Sequence, residues 1–331
     1  MFLDSKSRSN GLAPNRPDLA SRENAKPADP VQCEISVTER LLKGIARLRD
    51  RISIARRLGL PLLVRRRRWN AAIRALDRYW MGGYVKTISG DLVYLPAPLD
   101  FQAKRFLKGE GRVSSSVLRH LPPGGVAFDV GANLGEWTLA MARAAGAGGR
   151  VFAIEPNPAI ASALAQTLDI NDLQQVELHR CALSSVSGTA DFILSADSSG
   201  ESRLGTALPG ERAVSVRTRT LDSMAEQAGI TRLDFIKIDV ESHEHFVLEG
   251  AAKTLSRFQP GIVIESGHES GEDRIAIARL LETAGYVAGA VLVDNGALPV
   301  TLADYLNGTG ACCGKGSQNI FFLPVSRQRT L

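Results

Sequence analysis

From Val126 onward, short apolar runs alternate with longer stretches of helical period. Strand 126–130 leads to helix 136–146, strand 150–155 to helix 158–170, and strand 176–181 follows. Residues 186–220 interrupt this rhythm with Gly, Ser and Thr and with short alternating pieces such as Ala213-Val-Ser-Val-Arg217, the pattern of a small β insertion. The alternation then resumes. Leu233–Asp239 reads as a fourth strand, His243–Phe258 as a helix, Gly261–Glu265 as a fifth strand and 272–284 as a helix. Two last strands fall near 286–293 and 319–323. Strands and helices taken in turn predict an α/β fold: a doubly wound, mainly parallel sheet covered on both faces.

The first 120 residues read differently. Residues 1–35 are rich in Ser, Asn, Pro, Asp and Lys without apolar period and are expected to form a disordered tail. Ser36 and Glu39 fit a capping box. Behind them Val37, Leu41, Ile45, Leu48 and Ile52 recur at three- and four-residue spacing among arginines and Lys43, which predicts a basic amphipathic helix. Its stripe can pack on the body of the protein, pair with another helix or lie on an anionic membrane. Arg65-Arg-Arg-Arg-Trp69 extends the basic character. Tyr84 to Leu99 reads as a hairpin around Ser89-Gly-Asp91, and a helix in the 100–120 region is broken by Pro122-Pro-Gly-Gly125. The expected division is a tail (1–35), a basic helical and hairpin extension (36–120) and a catalytic domain (121–331).

Charge follows this division. Residues 1–120 hold 24 Lys+Arg against 11 Asp+Glu, while 121–331 hold 16 against 24. The basic part suggests contact with an anionic surface through residues 36–69. With no aromatics interleaved beyond Trp69, a nucleic-acid partner is not expected. Four scattered cysteines make neither a disulfide framework nor a metal spacing. No signal peptide or membrane span is visible, so a cytoplasmic protein is expected.

The candidate chemistry starts at Val126-Ala-Phe-Asp-Val-Gly-Ala-Asn-Leu-Gly-Glu-Trp137. A strand ends near Asp129, and Gly131 and Gly135 then let the backbone approach a ligand closely. The next helix offers unpaired N–H groups to an anion. Glu155, ending the following strand, is placed to accept bonds from a ribose's two hydroxyls. A dinucleotide fingerprint would need G-x-G-x-x-G, and a phosphate-cradling loop a Gly-Lys-Ser/Thr end. Neither is present. On strand four, a spacing of two puts Lys237, Asp239 and Glu241 on one face. These three can form a structural ion pair with a helix cap, or contact cofactor and acceptor while His243 accepts a proton. Glu265, ending strand five, is a second candidate base. Asp239, Glu241 and Glu265 are hard oxygen ligands, but attraction to a cationic ligand explains them equally, and no metal is assigned. His245 is expected at the surface, and His179 and His268 have no assigned role.

The D-x-G-x-x-x-G form with Glu155 resembles the S-adenosylmethionine site of class I methyltransferases. Asp234-Phe-Ile-Lys-Ile-Asp-Val-Glu-Ser-His-Glu244, with Val247-Leu-Glu-Gly250 behind it, is similar to the FkbM family of methyltransferases. Glu155-Pro-Asn157, Ala182-Leu183 with Gly188, Thr220-Leu-Asp222, Pro260 to Glu265 and Asn319 to Phe322 follow in the family's order. The likeness covers roughly 115–325 and departs from the family at Ser242, where glycine is usual. It implies S-adenosylmethionine as cofactor, held by Asp129, Gly131, Asn133, Gly135, Glu155, Cys181, Ala182 and Asp239, with Cys181-Ala182 bordering the adenine. It implies methyl transfer, usually to a hydroxyl of a sugar or secondary metabolite, with Asp239, Glu241 and His243 as the catalytic set. The acceptor is then a small molecule or glycan. The implied fold is a seven-stranded sheet of order 3-2-1-4-5-7-6 with the last strand antiparallel. N-methylation of an amine, a Rossmann-type oxidoreductase and a non-catalytic scaffold binding an anionic surface through the basic N-terminal part are the competing readings.

Overall fold

The computed structural model of the protein describes residues 80–330 apart from 88, 109–112, 114, 268, 294–295 and 314–316. The tail of 1–35, the basic helix of 36–52, the arginine run of 65–69, and with them the anionic-surface contact of 36–69, lie outside the described residues, as does His268.

Strands β3 (Val126–Val130), β4 (Arg150–Ile154) and β5 (Val176–His179) pair in parallel. On the other side of β3 lie β10 (Phe235–Ile238) and β11 (Gly261–Ser266), also parallel. β14 (Gln318–Pro324) pairs antiparallel with β11 and with β12 (Tyr286–Val293). The strand order expected from the family likeness is therefore present. An eighth strand, β13 (Gly296–Thr301), extends it as a hairpin on β12. Pro299 on this edge strand lacks a ladder N–H, which blunts the edge against further pairing.

Period two on the strands sends successive side chains to opposite layers. Phe128 and Val130 of β3 face helices α5 (Leu221–Gln227), α6 (Glu244–Glu249), α7 (Ala252–Phe258) and α8 (Gly271–Thr283) through Met224, Val247, Leu255 and Leu281. Ala127 of β3 faces α3 (Glu136–Ala145) through Met141 and Ala142, and Ala153 of β4 meets Leu164 and Leu168 of α4 (Pro158–Ile170). Phe128 stacks on Phe152 at 4.5 Å. Each such fully buried side chain contributes roughly 1.5–3 kcal/mol, so apolar burial accounts for the sheet's stability. α4 starts where Asn157 accepts bonds from the amides of Ala159 and Ile160, with Pro158 in the first turn.

Before β3, the expected hairpin is β1 (Gly83–Lys86) and β2 (Leu92–Leu95). α4 side chains satisfy the outer edge of β2. Asn171 Oδ1 accepts from the Leu92 amide at 3.0 Å, and Thr167 Oγ1 accepts from that of Tyr94 at 2.9 Å. Val93, Leu95 and Leu99 join Leu134, Leu139 and Ile160 in one core, so the hairpin is bound to the sheet domain. The helix expected across 100–120 divides into α1 (Phe101–Lys108) and the single turn α2 (Ser115–Leu118).

Three further expectations are corrected. Helix 243–258 is two helices, because the backbone turns at Gly250, whose Cα lies against the Ser184 carbonyl so closely that any Cβ would clash. The strand expected over 176–181 ends at His179. The chain then leaves the main sheet, and β6 (Ala182–Leu183) joins β7 (Gly188–Leu194), β8 (Arg203–Leu204) and β9 (Arg212–Arg219) in a separate four-stranded sheet, the insertion read from 186–220. The short helix α9 (Leu302–Asn307), capped by Thr301 and Asp304, is under two turns long and was not anticipated. Among the described residues no helix is long and apolar enough to cross a membrane.

Candidate active site

A cavity of about 930 Å³ opens at the carboxyl ends of β3, β4, β10 and β11, the usual ligand position in a doubly wound sheet. β3 ends at Val130, and Gly131 turns the chain at φ +83°, tight against the Asp239 carbonyl where no Cβ fits. The amides of Gly131 and Ala132 both donate to Ile154 O, at 3.0 and 2.9 Å. This binds the loop to β4. Asn133 stands in the left-handed region at φ 47°, a conformation Asn tolerates better than most residues. Its amide donates to Glu155 Oε2 and that of Asn157 to Glu155 Oε1, both at 2.8 Å.

Glu155 is thus buried between two backbone N–H groups with lone pairs left on both oxygens. Burial pushes its carboxyl up to about 7, against the pull of the two amides. Asp129, equally buried, accepts from Thr138 Oγ1 of α3 at 2.5 Å. Burial raises it to about 6, while that bond and Lys237 oppose the rise. Asp129, Gly131, Asn133, Glu155, Ala182 and Asp239 all line the cavity; Gly135 and Cys181 do not. Gly135, at φ +94°, heads α3 with Leu164 too close for a Cβ, so its role is packing. The Cys181 side chain points into the core, and burial raises its thiol.

The opposite wall carries the acids. Lys237 is 1% exposed, and its Nζ lies 3.1 Å from Asp239 Oδ2, 3.1 Å from Ile238 O and 5.7 Å from the centre of the Trp137 ring. The lysine is therefore paired, as its burial demands. β10 ends at Ile238, and the chain turns through two left-handed residues, Glu241 (φ 53°) and Ser242 (φ 70°). Left-handed backbone costs an ordinary L-residue roughly 1–2 kcal/mol, and at Ser242 this is where the family's usual glycine is replaced. Glu244 stabilises the turn by accepting from the Val240 amide at 3.1 Å.

Asp239, Glu241 and Glu265 bring one oxygen each within 4.8 Å of one another. Burial raises Glu241 to about 8, helped by the charge of Asp239. Burial also pushes Glu265 far up, and a hydrogen bond with Asp239 adds to the rise. Ser317 donates to Glu265 from the far side.

His243 lies beside this cluster with Nε2 3.0 Å from Ser184 Oγ and its ring on Phe246. Burial lowers it to about 4, leaving a neutral imidazole at pH 7. His245 is not the surface residue expected from the sequence. Its side chain is 14% exposed, and Nδ1 lies 3.1 Å from Asp273 Oδ1, because α6 packs on α8. His179 sits outside the cavity, 4.0 Å from Glu177.

No motif pointed to most of the remaining walls. Gln102, Arg105 and Phe106 come from α1, Ser198–Ser202 and Leu204 from the insertion, and Leu292 from β12; Asn319 of β14, which opens one of the pieces similar to the family, completes them. Asp100 accepts from the Ser199 amide at 2.7 Å, and the Ser199 hydroxyl lies 3.3 Å from the Asn133 side chain. These contacts lock α1 and the insertion over the loop. Only the assembled fold brings these residues together, and, Asn319 apart, nothing in their local sequence marks them.

The sheet, the loop and the acids at its strand ends define a Rossmann-like methyltransferase. Within that class, residues 129–288 match the family model described as Methyltransferase FkbM domain. The hexuronic acid methyltransferase AglP of Haloferax volcanii is 28% identical over 245 residues, covering 74% of this chain and 90% of that protein. Methyltransferase sdnD of Sordaria araneosa is 28% identical over 199 residues, covering 51% and 76%. Among solved structures, methyltransferase FkbM from Methylobacillus flagellatus KT aligns at 20% identity and a TM-score of 0.40, covering 60% of this chain and 43% of that one.

Proposed function

We propose that the protein transfers the methyl group of S-adenosylmethionine to a hydroxyl oxygen of a sugar or secondary metabolite. The supporting observation is Glu155, clamped by two amides of the glycine loop and the helix cap with lone pairs free for a ribose diol. The acids beyond it offer a complementary field to a sulfonium. That a relative is named for a hexuronic acid favours a sugar acceptor. Residues 121–331 would be the catalytic domain, with the extension supplying part of the acceptor wall.

When bound, S-adenosylmethionine would supply the electrophilic methyl carbon. Asp129, the loop and Glu155 would hold its methionine and ribose ends, and Ala182 would border the base. What these residues would contribute is in-line alignment with the acceptor oxygen, worth on the order of 7–11 kcal/mol at best. The acceptor's proton needs a base. His243, neutral and held by Ser184, is a weak one. Glu241 is better placed energetically: burial raises its carboxyl to about 8, so it holds its proton at neutral pH until a cationic ligand draws it into the ionised form, which is then a strong acceptor. A neighbouring sulfonium favours its ionised form. Asp239, paired with Lys237, keeps a fixed negative charge beside the reacting centre.

Calorimetric titration with S-adenosylhomocysteine tests this reading. Micromolar affinity in the wild type, lost in Glu155→Ala and Asp129→Ala, is the expected result. A folded wild type that does not bind overturns it.

A further inference from the structure

Seven of the described cavity-lining residues are carboxylic acids and two are cations, Lys237 and Arg105. Lys237 is committed to Asp239. Arg105 is half-buried on α1, and among the described residues it makes no ion pair within 4.0 Å. Among the described residues its hydrogen bond runs from a guanidinium nitrogen to Gln102 Oε1 at 3.0 Å, one turn back on the same helix face. A neutral acceptor fixes the direction of the fork without neutralising it.

α1 is not loosely attached. Ala103 and Leu107 are buried with Leu134 and Leu139. Asp100 caps α1 by accepting from the Ala103 amide at 2.7 Å, and its other oxygen takes the Ser199 amide. Arg105 therefore projects from a fixed wall opposite the first turn of α3. Its charge is felt there by Glu136, which burial otherwise raises. An uncommitted guanidinium facing a cavity of acids suits a ligand carrying both signs of charge. The acids take the cationic part, and the planar fork is matched to a carboxylate.

Resting on the cofactor reading above, we propose that Arg105 is the carboxylate-recognition residue of this cavity. The carboxylate can belong to the methionine end of the cofactor or to an acidic sugar acceptor, and the two are separable. Arg105→Met and Arg105→Lys are titrated with S-adenosylhomocysteine and with 5′-methylthioadenosine, which has the same nucleoside and sulfur but no amino-acid end. The homocysteine-loaded proteins are then titrated with glucuronate and with glucose.

A tenfold or greater loss of S-adenosylhomocysteine affinity in Arg105→Met, with methylthioadenosine unchanged and partial recovery in Arg105→Lys, assigns the cofactor carboxylate. Unchanged cofactor binding with selective loss of glucuronate assigns the acceptor carboxylate. If Arg105→Met, with a wild-type melting curve, binds every probe as the wild type does, the proposal is overturned and the cofactor reading stands. A folded wild type that binds no S-adenosylhomocysteine overturns both.

Discussion

Replacing Glu155 by Gln gives a double readout. In the wild type both carboxylate oxygens accept a backbone N–H at 2.8 Å. A glutamine offers one oxygen and one NH₂, so one amide faces a donor and loses its bond, at a cost of about 1–3 kcal/mol. The charge acts in the opposite direction. The folded carboxyl titrates at about 7 against 4.5 for an unburied glutamate. Between these values the unfolded chain gives up the proton and the folded one keeps it, so wild-type stability falls as pH rises. The difference is worth roughly 3 kcal/mol across the window. Glu155→Gln lacks this loss. It should be clearly less stable than wild type at pH 5, and the gap should close by pH 8. Thermal or urea melts of both proteins across this range measure it. In parallel, S-adenosylhomocysteine affinity should drop at least tenfold at pH 7.5. A stability gap independent of pH, with cofactor affinity retained, would refute both the buried-carboxylate argument and the ribose assignment.

Gly131→Ala forces a Cβ into the Asp239 carbonyl. It should abolish cofactor binding by calorimetry and lower stability by roughly 3 kcal/mol or more, the range of strained and overpacked backbone sites. Lys237→Met leaves Asp239, itself 32% exposed, without its cation, so the cost should fall below the about 3–5 kcal/mol of a fully buried pair. The loss should be larger at pH 8 than at pH 6, because acid can protonate the orphaned carboxyl; denaturant melts at both values check this. Ser242→Gly relieves a left-handed serine at φ 70°. After the entropy glycine adds to the unfolded chain, a gain of about 0.5–1 kcal/mol is expected in urea melts.

Most of the sheet was legible because its strands are apolar on both faces and its helices keep a clear period. β3, β4, β10 and β11 fall where the runs of Val, Ile and Phe place them. The loop and Glu155 were legible because only glycine permits the turn at Gly131 and the acid follows at the end of the next strand. The division of helix 243–258 was hidden because Gly250 is tolerated in a helical pattern, and its contact with Ser184 is 66 residues away in sequence. His245 misled for a related reason. His243 and His245 look alike in sequence, but one hydrogen-bonds the insertion and the other packs against α8. The acceptor wall was illegible throughout. Arg105, Ser199 and Leu292 come from three segments with no shared spacing, and only the assembled fold brings them to one cavity.

β14 lies between β11 and β12 yet follows both in the chain. Until it is in place, β11 presents an open edge running from Ile262 to Ser266, and the β12–β13 hairpin has no neighbour. A polypeptide emerging from the ribosome therefore passes through a stage with two unpaired apolar edges, which only the final insertion of Ile320–Leu323 closes. Such a stage invites pairing with other chains. Holdase chaperones that shield strand edges should thus matter more to the yield of this protein than to its finished stability.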